Sequence, residues 1–285
     1  MSPYELHLPG SLGEATSLLR RLGDATVLSG GTSLVLLLQH GLVRPEHVVS
    51  LRRLRVLSGI ARDPGGVLRI GAITTLREVE RSPLVREHCA ALADAFASVA
   101  TVRIRNQATV GGAVAHADPA QDPPVMLTAL DATIVIAADA VPDRSEPIDG
   151  FFVDVFTTAL GAAELIVAVL VPPLPAAARS AYLKFLPRTA DDYATVSVGA
   201  VAACAEDGNV VHLRIALGAV GPTVIRARRV EAALIGRRPD DPVLREAAAL
   251  VREEVDPFDD TRGSAGYKRE MAAVWTERAL RRVLG

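Results

Sequence analysis

Two adjacent glycine pairs, Gly30-Gly31 and Gly111-Gly112, constrain this chain more than any other feature. The first lies in Ser29-Gly30-Gly31-Thr32-Ser33-Leu34, between a short strand-like run, Ala25 to Leu28, and a helical apolar segment, Leu34 to Leu38, that stops at Gly41. Glycines there let the backbone approach an anion closely, and successive N–H groups at a helix start can cradle a phosphate. Thr32 and Ser33 add hydroxyl donors. The same residues also make a plain Gly-Gly turn with a serine cap. The second pair, in Thr109-Val110-Gly111-Gly112-Ala113-Val114-Ala115-His116-Ala117-Asp118-Pro119, reads as another turn closed by Asp-Pro. Asp118 there either accepts from a ribose or ring N–H or caps the next turn. Neither pair is G-x-G-x-x-G, and no G-x-x-x-x-G-K-[ST] occurs, so a Rossmann site and a P-loop are both unsupported.

Around these pairs the chain divides into three units. Leu12, Ala15, Leu18, Leu19 and Leu22 share one helical face over residues 11–22, and Ser11 with Glu14 reads as a capping box. Val48 to Leu51 reads as a strand and ends a small α/β unit. A second unit starts with Leu68 to Ile70. Thr75 caps a short helix, a long helix is predicted from about Leu84 to Ala100, and Pro123 opens a helix reaching Leu130. Thr133 to Ala137 and Glu164 to Val171 read as strands. Pro172, Pro173 and Pro175 mark the best boundary. Beyond them come three strands, Ala181 to Leu186, Val196 to Ala203 and Val210 to Leu217, with a turn at Asp207-Gly208-Asn209. Helices follow over Arg226–Leu234, Pro242–Val255 and Arg262–Leu284, an α+β arrangement.

Several chemistries are excluded on composition. The net charge of -2 argues against a protein that binds nucleic acid by neutralising phosphates. Cys89 and Cys204 are the only cysteines, too few for a disulfide scaffold, a four-thiolate zinc site or an iron–sulfur cluster. Isolated thiols suit a reducing compartment, and the expectation is cytoplasmic. Met1 to Gly10 does not read as a signal peptide, and no apolar run is long enough to insert in a membrane. His7, His40, His47, His88, His116 and His212 form no H-x-x-x-H or H-E-x-x-H, so no metal site is expected. No G-x-S-x-G elbow is present, and the acidic pairs Asp191-Asp192 and Asp259-Asp260 are adjacent residues whose side chains diverge. No catalytic residue is therefore expected. Met271 and Trp275, spaced i to i+4, read as core. Lys184 offers a cation and Tyr193 a planar ring for stacking, but an edge-strand lysine and a half-buried tyrosine account for them equally well. These are notable because Lys184 and Lys268 are the only lysines among 31 basic residues.

Both glycine pairs, in this order and separation, resemble those of the FAD-binding medium subunit of molybdenum hydroxylases, the family of carbon monoxide dehydrogenase and of the xanthine dehydrogenase flavin domain. The resemblance runs along nearly the whole chain. It includes Gly41-Leu42-Val43-Arg44-Pro45 leading to Val48-Val49-Ser50-Leu51, Gly71-Ala72-Ile73-Thr74-Thr75, and Arg105-Asn106-Gln107. Asp118-Pro119-Ala120-Gln121-Asp122-Pro123-Pro124, Phe151 to Pro172, Lys184 to Val198 and Gly263-Ser264-Ala265 with Tyr267-Lys268 also fit. Each motif alone is weak; in order and across all three units they are specific.

The resemblance implies an α+β FAD-binding fold of the vanillyl-alcohol-oxidase (PCMH) type. It comprises two α/β FAD-binding subdomains, over residues 1–57 and 58–175, and a C-terminal α+β domain of sheet and helices over 176–285. It also implies roles. Ser29 and Leu34 bracket Gly30, Gly31, Thr32 and Ser33, which hold the pyrophosphate through backbone amides. Thr109, Gly111 and Gly112 lie along the ribityl and phosphate side, followed by Ala113. Ala117 and Asp118 lie near the ribityl or isoalloxazine, with Lys184 near the isoalloxazine and Tyr193 on one ring face. Ala113 stands where relatives often carry Asn, Ser or Asp, which removes one side-chain hydrogen bond. Gln121 stands where alanine is common and is read as without consequence. Thr32 occupies the place of the histidine that links flavin in covalent relatives of the wider fold, so non-covalent FAD is expected. The implied partners are a molybdenum-cofactor large subunit and an iron–sulfur small subunit in a heterohexamer, with FAD passing electrons to an external acceptor. A stand-alone FAD-dependent oxidase or dehydrogenase, with His116 or Tyr193 as base, and an FAD-free scaffold are the competing readings.

Overall fold

In the computed structural model, residues 4–186, 188–189 and 192–285 are described; Met1 to Pro3 and Asp191 lie outside them. The first sheet is parallel, with Glu5–His7 and Ala25–Leu28 flanking a central strand, His47–Ser50. The helix Leu12–Leu22 covers it because Ala15, Leu18 and Leu19 fall on one face and are buried. Its Ser11 cap accepts from the Glu14 amide as expected. The reciprocal half of the box is not made, because the Glu14 carboxylate instead accepts from Gly10 N at 2.7 Å. That buried face reaches Ala137, Leu165 and Val167 of the next unit, so the first two units share one core.

The second sheet is antiparallel throughout, in the order Ile60–Arg62, Leu68–Gly71, Glu164–Val171, Thr133–Ala138, Val141–Pro147. Helices pack on it around buried Phe96, Leu92, Val110 and Met126. The long helix expected over 84–100 is two helices, Pro83–His88 and Ala90–Ala97. Cys89 breaks it with an extended backbone, φ −160° and ψ 105°, and its thiol donates to Ser180 Oγ at 3.3 Å. No glycine or proline marks that break, so periodicity runs straight through it. By contrast, Thr75 and Glu78 form the full reciprocal capping box at the helix Leu76–Arg81.

The third sheet, Arg179–Phe185, Val196–Cys204, Val210–Gly218 and Ile225–Arg226, is antiparallel. Its strand Val196–Cys204 is buried on both faces up to its last residue, which explains a continuous apolar run. One face carries the helices Arg228–Leu234, Asp241–Ala249 and Ala265–Leu284. On the sheet lies the helix Asp122–Ala129 of the second unit. Its approach needs Gly218, where a Cβ would meet Val125 Cγ2 at 2.6 Å. This helix fixes the third unit against the segment holding the second glycine pair. No described helix is long and apolar enough to cross a membrane.

Candidate functional site

A cleft of about 430 Å³ opens where the three units meet. Ser29, Gly30, Gly31, Thr32, Ser33 and Leu34 form one wall. Gly31 sits at φ +78°, a conformation that favours glycine. Gly30 is pressed against the Gln107–Ala108 backbone, so nothing larger than a hydrogen fits. The amides of residues 30–34 donate to no acceptor among the described residues. Ser33 makes no side-chain cap, which removes the plain-turn account of that serine. The helix that follows, Leu34–Gln39, has only six residues. The local fan of N–H groups, not a macrodipole, therefore supplies the positive edge.

Thr109, Gly111, Gly112 and Ala113 form the facing wall. Here the structure corrects the expected turn: Gly111 and Gly112 are the first turn of the helix Val110–His116. Thr109 caps that helix, accepting from Gly112 N. Its other leading amides are also satisfied internally, Val110 by Thr74 O at 3.0 Å, Gly111 by Ala72 O at 2.8 Å and Ala113 by Thr109 O at 2.9 Å. The second pair thus offers bareness rather than donors. A Cβ on Gly111 would meet Ala72 Cβ at 2.7 Å. The hydroxyls of Ser29 and Thr109, 2.8 Å apart, tie the two walls together.

The third unit adds Lys184 and Tyr193. Lys184 is no surface lysine. Its ammonium is buried and donates to Asp122 Oδ2 at 2.9 Å and Ser98 O at 2.8 Å. Asp122 also accepts from the Tyr182 hydroxyl. Burial pushes the Asp122 carboxyl up, against the pull of Lys184. Tyr193 is 44% exposed as a residue, with the Arg262 guanidinium 5.5 Å from its ring centre. Its hydroxyl end is enclosed, and that desolvation, helped by the Asp118 carboxylate, pushes the phenol up to about 12. At neutral pH it is a donor, not a base.

Ala117 and Asp118 stand outside the lining. Ala117 ends the glycine-pair helix in a left-handed conformation, φ 51° and ψ 33°. Asp118 Oδ1 accepts from Ala120 N at 2.9 Å, the turn-capping use. His116 does line the cleft, and burial lowers its pKa, leaving a neutral imidazole. Asp192 of the acidic pair lines it too, whereas Asp191 is outside the described residues.

Sequence reasoning missed the apolar part of the site: Leu76, Val99, Ile104, Leu160 and Ile166. It also passed over Gln121, which lines the cleft while its Oε1 is buried with no partner among the described residues. Such an orphan costs about 1–3 kcal/mol unless a ligand satisfies that amide. A glycine cradle, free amides on one wall, a planar ring and an unsatisfied amide together fit a large ligand with an anionic middle and a flat, polar-edged ring.

The comparisons with known proteins agree with that chemistry. The family described as "FAD binding domain in molybdopterin dehydrogenase" matches residues 2–174, and "CO dehydrogenase flavoprotein C-terminal domain" matches residues 181–283. The chain is 36% identical to the carbon monoxide dehydrogenase medium chain of Hydrogenophaga pseudoflava, over 97% of this chain and 96% of that one. It is 30% identical to a xanthine dehydrogenase FAD-binding subunit of Escherichia coli, over 96% of this chain and 94% of the relative. The solved carbon monoxide dehydrogenase of H. pseudoflava superposes with a TM-score of 0.95, at 36% identity, covering 99% of this chain and 98% of its own.

Proposed function

Because the chain belongs to the family of FAD-binding medium subunits of molybdenum hydroxylases, we propose that it relays electrons from iron–sulfur clusters on a partner, through FAD, to an external acceptor. The single observation that carries this reading is the pairing of five unused amides, residues 30–34, with a wall that only glycine can form.

In this reading the amides of Gly30 to Ser33 hold the pyrophosphate, with Ser29 and Leu34 closing the wall. Thr109, Gly111, Gly112 and Ala113 give the ribityl chain a surface without side-chain bulk. Tyr193 covers a ring face and keeps its proton. Asp118 orients Tyr193 from behind, Ala117 turns the chain so that it can, and Lys184 locks the third unit to Asp122 beside the ring. FAD, when bound, supplies exchange between one-electron and two-electron carriers. Thr32 offers no imidazole for a covalent link, so the flavin is held non-covalently.

The partners are an iron–sulfur small subunit and a molybdenum-cofactor large subunit, assembled as a heterohexamer. The exposed apolar side chains Val153 and Phe156, on the hairpin formed by Phe152–Asp154 and Thr157–Thr158, support a partnered surface. The free thiols of Cys89 and Cys204 support a cytoplasmic location. Residues 1–57, 58–175 and 176–285 are the working units of this assembly. The test is to purify the chain alone and with co-expressed partners, and to follow flavin absorbance. Stoichiometric FAD in both, with bleaching by an organic substrate only in the complex, is the expected result. Bleaching of the isolated chain by such a substrate overturns the relay.

A further inference from the structure

The strands Glu5–His7 and His47–Ser50 bring together three side chains that no local spacing connects. Glu5 pairs with His47 in the parallel ladder, and His7 pairs with Val49. Residues two apart on a strand share a face, so Glu5, His7 and His47 point the same way. Their tips converge. His7 Nε2 lies 3.2 Å from His47 Nδ1, while Glu5 Oε2 lies 3.5 Å from His47 Nδ1 and 3.9 Å from His7 Nε2. A triangle with those sides has a circumradius of about 2.1 Å. One point is therefore at bonding distance, about 2.0–2.2 Å, from two imidazole nitrogens and a carboxylate oxygen. The imidazole planes are tilted by 56° with ring centres 5.2 Å apart, so the rings meet by their tips and are not stacked. The two rings are within hydrogen-bond distance of each other and Glu5 is within ion-pair distance of both, and one shared cation would satisfy all three ligand atoms at once.

We propose that Glu5, His7 and His47 bind a divalent transition-metal ion of the zinc type, with solvent completing its coordination. Two nitrogens and one oxygen suit zinc or its neighbours and not calcium or magnesium, which prefer all-oxygen shells. None of the three residues lines the flavin cleft. The strand Glu5–His7 is three residues long and pairs with His47–Ser50 alone. The ion pins this edge strand to the centre of the first sheet.

The full-length chain, loaded with FAD and stripped by a chelator, is titrated with zinc chloride by calorimetry. One zinc per chain and a raised Tm are expected, and cobalt in its place gives the visible absorption of a low-coordinate site. His7→Ala and His47→Ala each weaken zinc binding by at least about tenfold, because losing a group that merely orients a ligand already costs about that much. Glu5→Gln changes an exposed side chain, leaves folding intact and weakens binding in the same direction. Flavin absorbance of each sample reports that it is folded. Absence of zinc binding by the wild type, or unchanged affinity in the His7→Ala, His47→Ala double variant, overturns the proposal.

Discussion

A Cβ atom on Gly30 would stand 2.0 Å from the carbonyl oxygen of Gln107. The contact joins the first glycine pair to the segment that leads into the second. Both sides are backbone, so neither can rotate away. Gly30→Ala therefore forces the two walls of the cleft apart and is expected to lose FAD on gel filtration and lower the Tm. Gly13, inside the helix Leu12–Leu22, meets nothing within 4 Å. Gly13→Ala is expected to retain FAD and to stabilise the chain by about 0.5–1 kcal/mol, from helix propensity. Flavin absorbance and thermal melts of both variants check the pair, and like behaviour of the two would rule out the close approach as the cause.

Lys184 is expected to matter for stability before it matters for the flavin. Lys184→Met leaves the Asp122 carboxylate buried beside the Tyr182 hydroxyl without its cation, at a cost of about 3–5 kcal/mol. Burial already holds the Asp122 carboxyl above its ordinary value. The unfolded chain then releases that proton first, so rising pH favours unfolding, and more so once the ammonium is gone. The deficit of the variant should shrink on acidification. Urea melts at mildly acidic and mildly alkaline pH measure it, and a deficit independent of pH would show that the carboxyl is not the group involved.

Glu80 carries the opposite sign. Burial alone would raise its carboxyl, but hydrogen bonds from Arg77 and Arg105 outweigh this and hold it below the usual 4.5. Arg105 is buried and donates to Val99 O and Ala100 O at 2.8 Å each, fixing two residues of the cleft. A lowered folded pKa contributes stability above the unfolded value and loses it as pH falls through the folded one. Wild-type stability should therefore fall in acid, below about pH 4.5, more steeply than that of Glu80→Gln, although the variant is weaker at neutral pH. Parallel melts across that range decide it.

What the sequence made legible was local. Caps such as Ser11 and Thr75, the strands around the first glycine pair and the buried strand Val196–Cys204 announce themselves by periodicity and by residue type. The family resemblance named fourteen residues for a site, and twelve of them line one cleft, with Ala117 and Asp118 outside its lining. Long-range partnerships left no local mark. The break at Cys89 lies in an uninterrupted apolar pattern, and the ion pairs Lys184–Asp122 and Arg105–Glu80 join residues 62 and 25 apart. The Gly111 amide is spent on Ala72 O and its neighbour Val110 on Thr74 O, carbonyls far away along the chain. A histidine search confined to short spacings likewise could not pair His7 with His47.

Gln121 separates folding from cofactor binding most cleanly. Its backbone N–H donates to Asp118 O at 3.1 Å, so the main chain is held whatever the side chain does. The side-chain Oε1 is buried without a partner among the described residues. Rotation about the terminal bond can bring either end of the amide toward the cleft that the residue lines. Gln121→Leu removes an unsatisfied acceptor, so the FAD-free chain should melt at the same temperature or higher. With FAD in the cleft, the same change is expected to lose one hydrogen bond worth about 1–1.5 kcal/mol, which is about tenfold in affinity. Stability and FAD affinity are thus expected to move in opposite directions, the first read by thermal melts of stripped protein and the second by flavin fluorescence titration. A parallel fall in both would mean that the glutamine supports the fold, not the flavin.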